Sequence, residues 1–135
     1  FTEVSEHERI RFIDNKDGTI TDTSTNLMWL KQPSILKVDW DTAMELCATI
    51  STGNYDNWRL PTIKELQSIL DYSQYHPAIP IELQAFSGVR SSFYWSATTH
   101  ADYTYSAWGV YLYNGHVNSY SKTYSNYVWP VRVPS

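Results

Sequence analysis

The stretch that decides the fold is "AWGVYLYNGHVNSYSKTYSNYVWPVR", residues 107–132. Hydrophobic residues alternate there with Tyr, Asn and Ser, and the only formal charges are Lys122 and Arg132. Such alternation is typical of β-strands that have one face toward a core. The dipeptide Asn114-Gly115 interrupts it and is a strong hairpin signal. The stretch therefore predicts an antiparallel strand pair followed by a final strand near its end.

This hairpin predicts two faces of different chemistry. With a two-residue turn, Leu112 pairs with Val117 and Tyr111 pairs with Asn118. Successive side chains of a strand point to opposite faces. We expect the core face to carry the hydrophobic residues Trp108, Val110, Leu112 and Val117. The outer face then carries the tyrosines and polar residues Tyr111, Tyr113, His116, Asn118 and Tyr120.

The first part of the chain predicts strands and then two helices. "RFIDNKDGTITDT" (11–23) predicts a hairpin around Asp17-Gly18, and "NLMWLKQ" (26–32) predicts a further strand. "VDWDTAMELCATI" (38–50) predicts a helix with Asp39 as its N-cap. Its apolar stripe consists of Trp40, Ala43, Met44, Cys47 and Ile50.

The second helix lies within "NWRLPTIKELQSILDY" (57–72). Thr62 and Glu65 have the spacing of a capping box. We expect Arg59 to hydrogen-bond carbonyl groups or Glu65, and Arg132 to have a similar structural role. The inward stripe of this helix consists of Leu66, Ile69 and Leu70. Residues 72–92 carry two prolines and a glycine without a clear period and predict an irregular segment, and "FYWSATT" (93–99) predicts the next strand.

Composition narrows the classes of partner. Charged residues are only 18% of the 135 residues, whereas the chain holds 11 Tyr and 6 Trp. The net charge of −4 and the scattered basic residues argue against nucleic acid or an anionic membrane as the main partner. No apolar run approaches the roughly 20 residues that span a bilayer. The length predicts one domain over residues 1–135, and its first residue, Phe1, is compatible with a trimmed chain.

Sequence motifs for catalysis and metal binding are weak. The four histidines lie far apart in sequence, and "DNKDGTITD" (14–22) does not fit the ligand positions of a calcium loop. Cys47 falls on the apolar stripe of the first helix, where a small buried residue is expected rather than a nucleophile. Asp56 and Glu65 flank "NWRLPT", but Glu65 already has a capping role. We therefore expect no enzyme activity, no metal and no cofactor.

Several blocks together resemble one bacterial family. They are "RFIDNKDGTITDTSTNLMW", "DWDTAMELC", "NWRLPTIKEL", "YWSATT", "AWGVYLYNGHV" and "VWPVR", and they extend from Arg11 to Arg132. This order resembles the Lcl C-terminal domain family, named after a collagen-like adhesin. The resemblance implies an α+β, C-type-lectin-like fold in which two helices flank a small antiparallel sheet and long loops hold the binding surface. It also favours a cell-surface or extracellular location.

The composition of residues 99–127 is similar to that of the variable proteins of diversity-generating retroelements. All but nine of these positions are Tyr, Asn, Ser, Thr, His or Asp. Mutation of adenines in asparagine codons generates this set. Ordinary strands are also rich in Tyr and Thr, so both origins stay open.

These observations predict a recognition module that binds a protein or a neutral glycan. Sulfated polysaccharides, with which the adhesin of the family is associated, do not fit a chain without clustered basic residues. The alternative is an adhesin-type or trimerising tip of a bacterial surface fibre, in which a homo-oligomer interface covers the tyrosines. The predicted ligand-binding residues are Tyr103, Tyr105, Tyr111, Tyr113, His116, Asn118, Tyr120, Tyr124 and Asn126.

Overall fold

Helices and strands both occur in the computed structural model, which describes residues 11–70 and 85–134. Strands β1 (Phe12–Asp14), β2 (Thr19–Asp22) and β3 (Leu27–Leu30) come first, followed by helices α1 (Trp40–Thr49) and α2 (Ile63–Ile69). Strands β4 (Phe93–Thr99), β5 (Ser106–Tyr111), β6 (Val117–Ser121) and β7 (Val131–Arg132) complete the order. The α+β class is confirmed. The C-type-lectin-like topology and the single domain over 1–135 stay predictions.

The strands form two antiparallel sheets rather than one. Sheet 1 has the order β1-β2-β3-β7, and sheet 2 has the order β4-β5-β6. Strand β7 returns from the end of the chain and pairs Val131 with Trp29 of β3. Val131 also forms an isolated bridge with Arg59, just before α2. The last strand is therefore held from both sides.

Sheet 2 lies between two hydrophobic cores because its strands bury residues on both faces. Tyr94 and Val110 contact a core that contains the α2 residues Leu66 and Ile69 together with residues of sheet 1. Phe93, Trp95 and Ala107 contact a second core that contains Ala43 and Cys47 of α1. The expected arrangement of two helices that flank an antiparallel sheet is thus confirmed for sheet 2.

The first predicted hairpin is confirmed, with a four-residue loop. Asn15 donates its amide to the carbonyl of Thr19 at 3.0 Å, and the loop residues are 15–18. The Asp17 carboxylate accepts from the amide and hydroxyl of Thr19 at 3.0 and 2.6 Å. Gly18 has φ +92°, a conformation that glycine adopts readily.

Helix α1 begins as predicted, but its buried stripe is narrower. The Asp39 carboxylate accepts the amide of Thr42 at 3.0 Å, which caps the helix. Ala43 and Cys47 are buried, whereas Met44 is 41% exposed, so its placement on the inward stripe was wrong. Ala43 and Cys47 are four residues apart and follow each other along one side of α1, with the half-buried Trp40 packed against the same core.

Helix α2 begins with the predicted capping box. The Thr62 hydroxyl accepts the amide of Glu65 at 3.1 Å, and the Glu65 carboxylate accepts the amide of Thr62 at 2.9 Å. Arg59 donates both terminal nitrogens to Glu65 at 2.7 and 2.8 Å. The inward residues Leu66, Ile69 and Leu70 are buried as expected.

The β5–β6 hairpin forms, but the predicted two-residue turn was wrong. Tyr111 donates its amide to His116 at 2.9 Å, which leaves a four-residue loop over 112–115. Val110 therefore pairs with Val117, two residues away from the predicted partner Ser119. In the longer loop, Leu112 is fully buried. A two-residue turn at Asn114-Gly115 would instead place Leu112 in the strand. A shift of two residues leaves the alternation of faces unchanged.

The expected core face extends only part of the way across sheet 2. Val110 and Leu112 are buried, but Val117 is 39% exposed and Trp108 is half-buried. The reason is that β6 is the edge strand, and none of its residues is buried. Of the predicted irregular segment 72–92, residues 85–92 contain no strand, and residues 72–84 lie outside the described part of the chain.

Candidate binding surface

The predicted ligand-binding residues divide into three groups by exposure. Tyr103, Tyr105, Tyr113 and Tyr124 are 54, 66, 51 and 57% exposed. His116 and Asn118 are also exposed, whereas Tyr111 and Tyr120 are half-buried. Asn126 is buried. The structure therefore gives eight of the nine side chains some contact with solvent but does not gather them in one patch.

One group is the Phe93 cluster, which consists of Phe93, Tyr111, Tyr120 and Tyr124. The edges of Tyr111 and Tyr120 meet the Phe93 ring, with centroids 5.1 and 4.7 Å apart. Tyr124 stacks on Tyr120 at 5.5 Å. Phe93 itself is only 2% exposed. The tyrosines therefore cover a hydrophobic residue on one side while parts of their rings stay accessible on the other.

A hydrogen bond fixes the two inner tyrosines of this cluster. The hydroxyl groups of Tyr111 and Tyr120 are hydrogen-bonded to each other. This bond, assisted by partial burial, raises the pKa of the Tyr120 phenol above its ordinary value. The hydrogen-bonded pair presents its hydroxyl groups at a defined position.

Gly109 makes room for the Phe93 cluster. A Cβ atom at this position would lie 2.3 Å from the carbonyl oxygen of Tyr94 and 2.5 Å from the ring of Phe93. Gly109 lies on the same face of the sheet as Tyr111, and the Phe93 ring occupies the space above it. Gly109 has no side chain on this face of β5, and the Phe93 ring from the neighbouring strand fills the space that a side chain would occupy.

A second group is the His100 cluster, which consists of His100, Tyr103, Tyr105 and Trp108. His100 stacks on Trp108 with centroids 4.6 Å apart and an interplanar angle of 15°. Its Nδ1 accepts the amides of Asp102 and Tyr103 at 3.1 and 3.3 Å. Tyr103 contacts the rings of both His100 and Tyr105. The imidazole therefore holds the β4–β5 loop against the strand.

The two clusters lie on opposite faces of sheet 2. Trp108 and Tyr111 are three residues apart on β5, so their side chains point in opposite directions. Sequence reasoning did not identify His100 as part of a site, and it assigned Trp108 to the core. The signal that could have indicated this cluster is the spacing of four ring-bearing residues, at positions 100, 103, 105 and 108, in and just after the β4–β5 loop.

Lys122 lies at the end of β6 and connects the hairpin to the start of α1. Its ammonium nitrogen lies 4.2 Å from the centroid of the Trp40 ring. Its amide donates to the carbonyl of Tyr105, and its carbonyl accepts the amide of Trp40, at 2.8 and 3.1 Å. This charge therefore rests on an aromatic ring.

Asn126 is 8% exposed, so its expected place on the surface was wrong. Its backbone exchanges two hydrogen bonds with Val38, each 2.9 Å long. This bridge draws the segment before β7 against the segment before α1 and removes the side chain from solvent. Within the described residues, the side-chain nitrogen of Asn126 has no hydrogen-bond partner.

Two other predicted chemical features have structural roles. Burial raises the pKa of the Cys47 thiol to about 12, so the interpretation as a buried hydrophobe is confirmed. Burial opposes ionisation of Glu65, but the paired Arg59 guanidinium and the Thr62 amide outweigh it and lower the pKa of the carboxyl group. Within residues 11–70 and 85–134, no three His, Cys, Asp or Glu side chains are placed to hold a metal ion together.

The same described residues include no helix with the length and apolar character needed to cross a membrane. No curated protein matches the chain. A protein-family model described as the Lcl C-terminal domain matches residues 18–132. The match covers both sheets and both helices apart from β1.

Proposed function

The chain belongs to the Lcl C-terminal domain family, and from this premise we propose that it is a non-enzymatic recognition module whose tyrosine-rich strands and loops bind a macromolecule. The observation that carries the proposal is the Phe93 cluster, in which two half-buried tyrosine rings rest on a buried phenylalanine and the exposed Tyr124 stacks on one of them. Tyrosine offers a large contact area with few rotatable bonds and adds a hydroxyl group. Rings held in place before binding lose little entropy when a ligand arrives.

The ligand that we propose is a protein or a neutral glycan. From residue 99 to Val131 only Asp102 and Lys122 carry a formal charge, and the ammonium group of Lys122 lies over Trp40. Recognition by such a surface depends on ring stacking and hydrogen bonds rather than on ion pairs. We therefore expect binding to change less than about twofold when the salt concentration rises from roughly 50 to 500 mM, because screening acts on exposed charges.

The proposal can be tested with an array of uncharged oligosaccharides and a phage-displayed peptide library as probes. The variant Tyr124→Ser should weaken the binding of an identified ligand roughly tenfold or more, as expected for a central aromatic contact. Ile13→Ser is the matched control, since Ile13 is 46% exposed on β1 of the other sheet. Equal effects of the two substitutions would contradict the assignment of the surface.

Light scattering separates recognition from assembly. A monomer that retains ligand binding supports the proposal. A stable oligomer in which Tyr105 and Tyr124 become protected from solvent would instead make the tyrosine surface a subunit interface, as in the tip of a surface fibre.

We further propose that the surface is diversified in sequence. From residue 99 to 127, all exposed residues except Ala101 and Val117 are Tyr, Asn, Ser, Thr, His or Asp. Of the seven buried residues of this range, Ser106 and Asn126 belong to that set, and the other five do not: Ala107, Gly109, Val110, Leu112 and Gly115. Close relatives from the same source should therefore differ at the exposed positions and retain the buried ones. Substitutions spread evenly over both classes of position would contradict diversification.

A further inference from the structure

Arg132 is a buried cation whose charge no carboxylate balances among the described residues. It is 4% exposed. Its Nε donates to the backbone carbonyl of Asp56 at 2.9 Å, its Nη1 approaches the sulfur of Met28 at 3.8 Å, and the guanidinium lies 4.4 Å from the centroid of the Tyr55 ring. The ion pairs of residues 11–70 and 85–134 do not include it. Burial of a charge without an ionic partner is costly.

One nitrogen of this guanidinium keeps its hydrogen-bonding capacity. Within the described residues, Nη2 has no hydrogen-bond acceptor. Among the described residues, the side-chain nitrogens of Trp29 and Asn126 are fully enclosed without a hydrogen-bond partner. Nη2 of Arg132 is not fully enclosed and retains access to solvent. A guanidinium nitrogen of this kind can donate two hydrogen bonds to an incoming anion.

Arg132 lines a pocket of about 460 Å³ together with Ser51, Asn54, Tyr55 and Asp56. The lining therefore combines a cation with a hydroxyl, an amide and a phenol, all of which can donate hydrogen bonds. It belongs to the loop before α2 and to β7 of sheet 1, and none of its residues belongs to the tyrosine clusters of sheet 2. Its size lies within the usual range for small-molecule sites.

We propose that this pocket binds a carboxylate group, with Arg132 as its ionic partner and the side chains of Ser51 and Asn54 as further donors. The guanidinium carries a permanent positive charge, and its Nη2 can donate a charge-assisted hydrogen bond to a carboxylate oxygen. Asp56 also lines the pocket, and its negative charge repels a divalent anion more strongly than a monovalent one. This favours a carboxylate over phosphate or sulfate. The group can come from a small organic acid or from the C-terminus of a peptide.

The test uses N-acetylglycine as a model of a peptide C-terminus, acetate as a model of a small acid, and N-acetylglycinamide as the uncharged control. The probes are titrated at constant ionic strength while NMR follows the Nε–H signal of Arg132 and the amides of residues 51–56. We expect saturable shifts at these positions with roughly millimolar affinity for the carboxylates, and none with the amide. Tighter binding of N-acetylglycine than of acetate identifies the peptide source, and equal binding identifies the small acid.

Matched variants keep the test independent of folding. Ser51 is exposed, so Ser51→Asp should fold and should weaken carboxylate binding roughly tenfold relative to Ser51→Asn, because it adds a like charge to the pocket. Asp56→Asn should strengthen binding several-fold for the converse reason. Equal affinities of the two Ser51 variants, an absence of saturable shifts, or tighter binding of inorganic phosphate than of acetate would overturn the proposal.

Discussion

At the scale of single residues, Gly109 determines how the candidate surface is built. Its missing side chain lets the Phe93 ring lie against β5, and Phe93 in turn supports Tyr111 and Tyr120. The alternation of residues in β5 was visible in the sequence, but the packing of a ring from β4 against Gly109 was not. The contact joins residues 16 positions apart, so no local pattern contains it.

The substitution Gly109→Ala should lower the free energy of unfolding by about 2–4 kcal/mol, because a Cβ atom at this site overlaps backbone as well as the Phe93 ring. Denaturant titration measures the change. Asn118→Ala is the control, since Asn118 is the exposed cross-strand partner of Gly109. A loss below the error of the titration would show that Phe93 can move aside.

The tyrosines should differ in their contribution to stability. Tyr120→Ala should destabilise the fold by about 2 kcal/mol because Tyr120 packs on buried Phe93, whereas Tyr105→Ala should change stability by less than about 0.5 kcal/mol. Thermal unfolding of the two variants measures the difference. Tyr120→Phe, which keeps the ring, should retain most of the stability. Similar losses for Tyr105→Ala and Tyr120→Ala would contradict the division between supported and exposed rings.

At the scale of elements, the features that depend on neighbouring residues were predictable. Asp39 and the pair Thr62–Glu65 cap their helices as expected because a cap joins residues two or three positions apart. The β5–β6 register was not predictable from Asn114-Gly115, since burial of Leu112 favours a longer loop. The exposure of Val117 depends on its position in an edge strand, which the sequence of one hairpin does not reveal.

The capping box gives a test of helix α2. Thr62→Ala should cost about 1 kcal/mol because the amide of Glu65 loses its side-chain acceptor. Thr62→Ser retains a hydroxyl and serves as the control. Urea titration followed by circular dichroism compares the two. Equal stability of the variants would show that the pairing of Arg59 with Glu65 is sufficient to hold the first turn.

At the scale of the whole molecule, sheet 2 couples the two cores because adjacent residues of β4 belong to different ones. Phe93 and Trp95 lie in the α1 core, whereas Tyr94 lies between them in sequence and belongs to the α2 core. The segment "FYWSATT" predicted a strand but not burial of both of its faces. A strand that is covered on both faces usually has a continuous run of apolar residues, and here polar residues follow the first three. The four-stranded order of sheet 1 was not predicted either, because β7 pairs with a strand more than 100 residues earlier in the chain.

This coupling predicts a single unfolding transition. Ile69→Ala in one core and Val128→Ala in the other should each destabilise the protein by about 2–4 kcal/mol. Both should shift the far-ultraviolet and near-ultraviolet circular dichroism midpoints together, as expected for two-state behaviour. Separate midpoints in either variant would show that the cores unfold independently.

Two partly buried ion pairs should make the fold sensitive to acid. Burial opposes ionisation of Asp22, but hydrogen bonds from Arg11 and Ser24 outweigh it, so the pKa of Asp22, like that of Glu65, is lowered on folding. A carboxyl group whose pKa is lower in the folded state stabilises the fold above its unfolded pKa, and this stabilisation is lost as pH falls through the folded value.

Stability should therefore be constant above about pH 5 and should decline below about pH 4. Urea titrations at several pH values measure the slope. The variant Asp22→Asn should be less stable at neutral pH and should show a smaller decline in acid. An unchanged decline would show that other carboxyl groups determine the acid response.

The position of β7 has a consequence for biosynthesis. Val131 and Trp129 are fully enclosed, and β7 lies between β3 and the segment at Arg59. When a nascent chain has emerged from the ribosome only as far as β6, the position of β7 between β3 and the segment at Arg59 is still empty. The fold of this domain is therefore complete only after β7 has emerged, and chaperones that recognise hydrophobic segments have access to the domain until then.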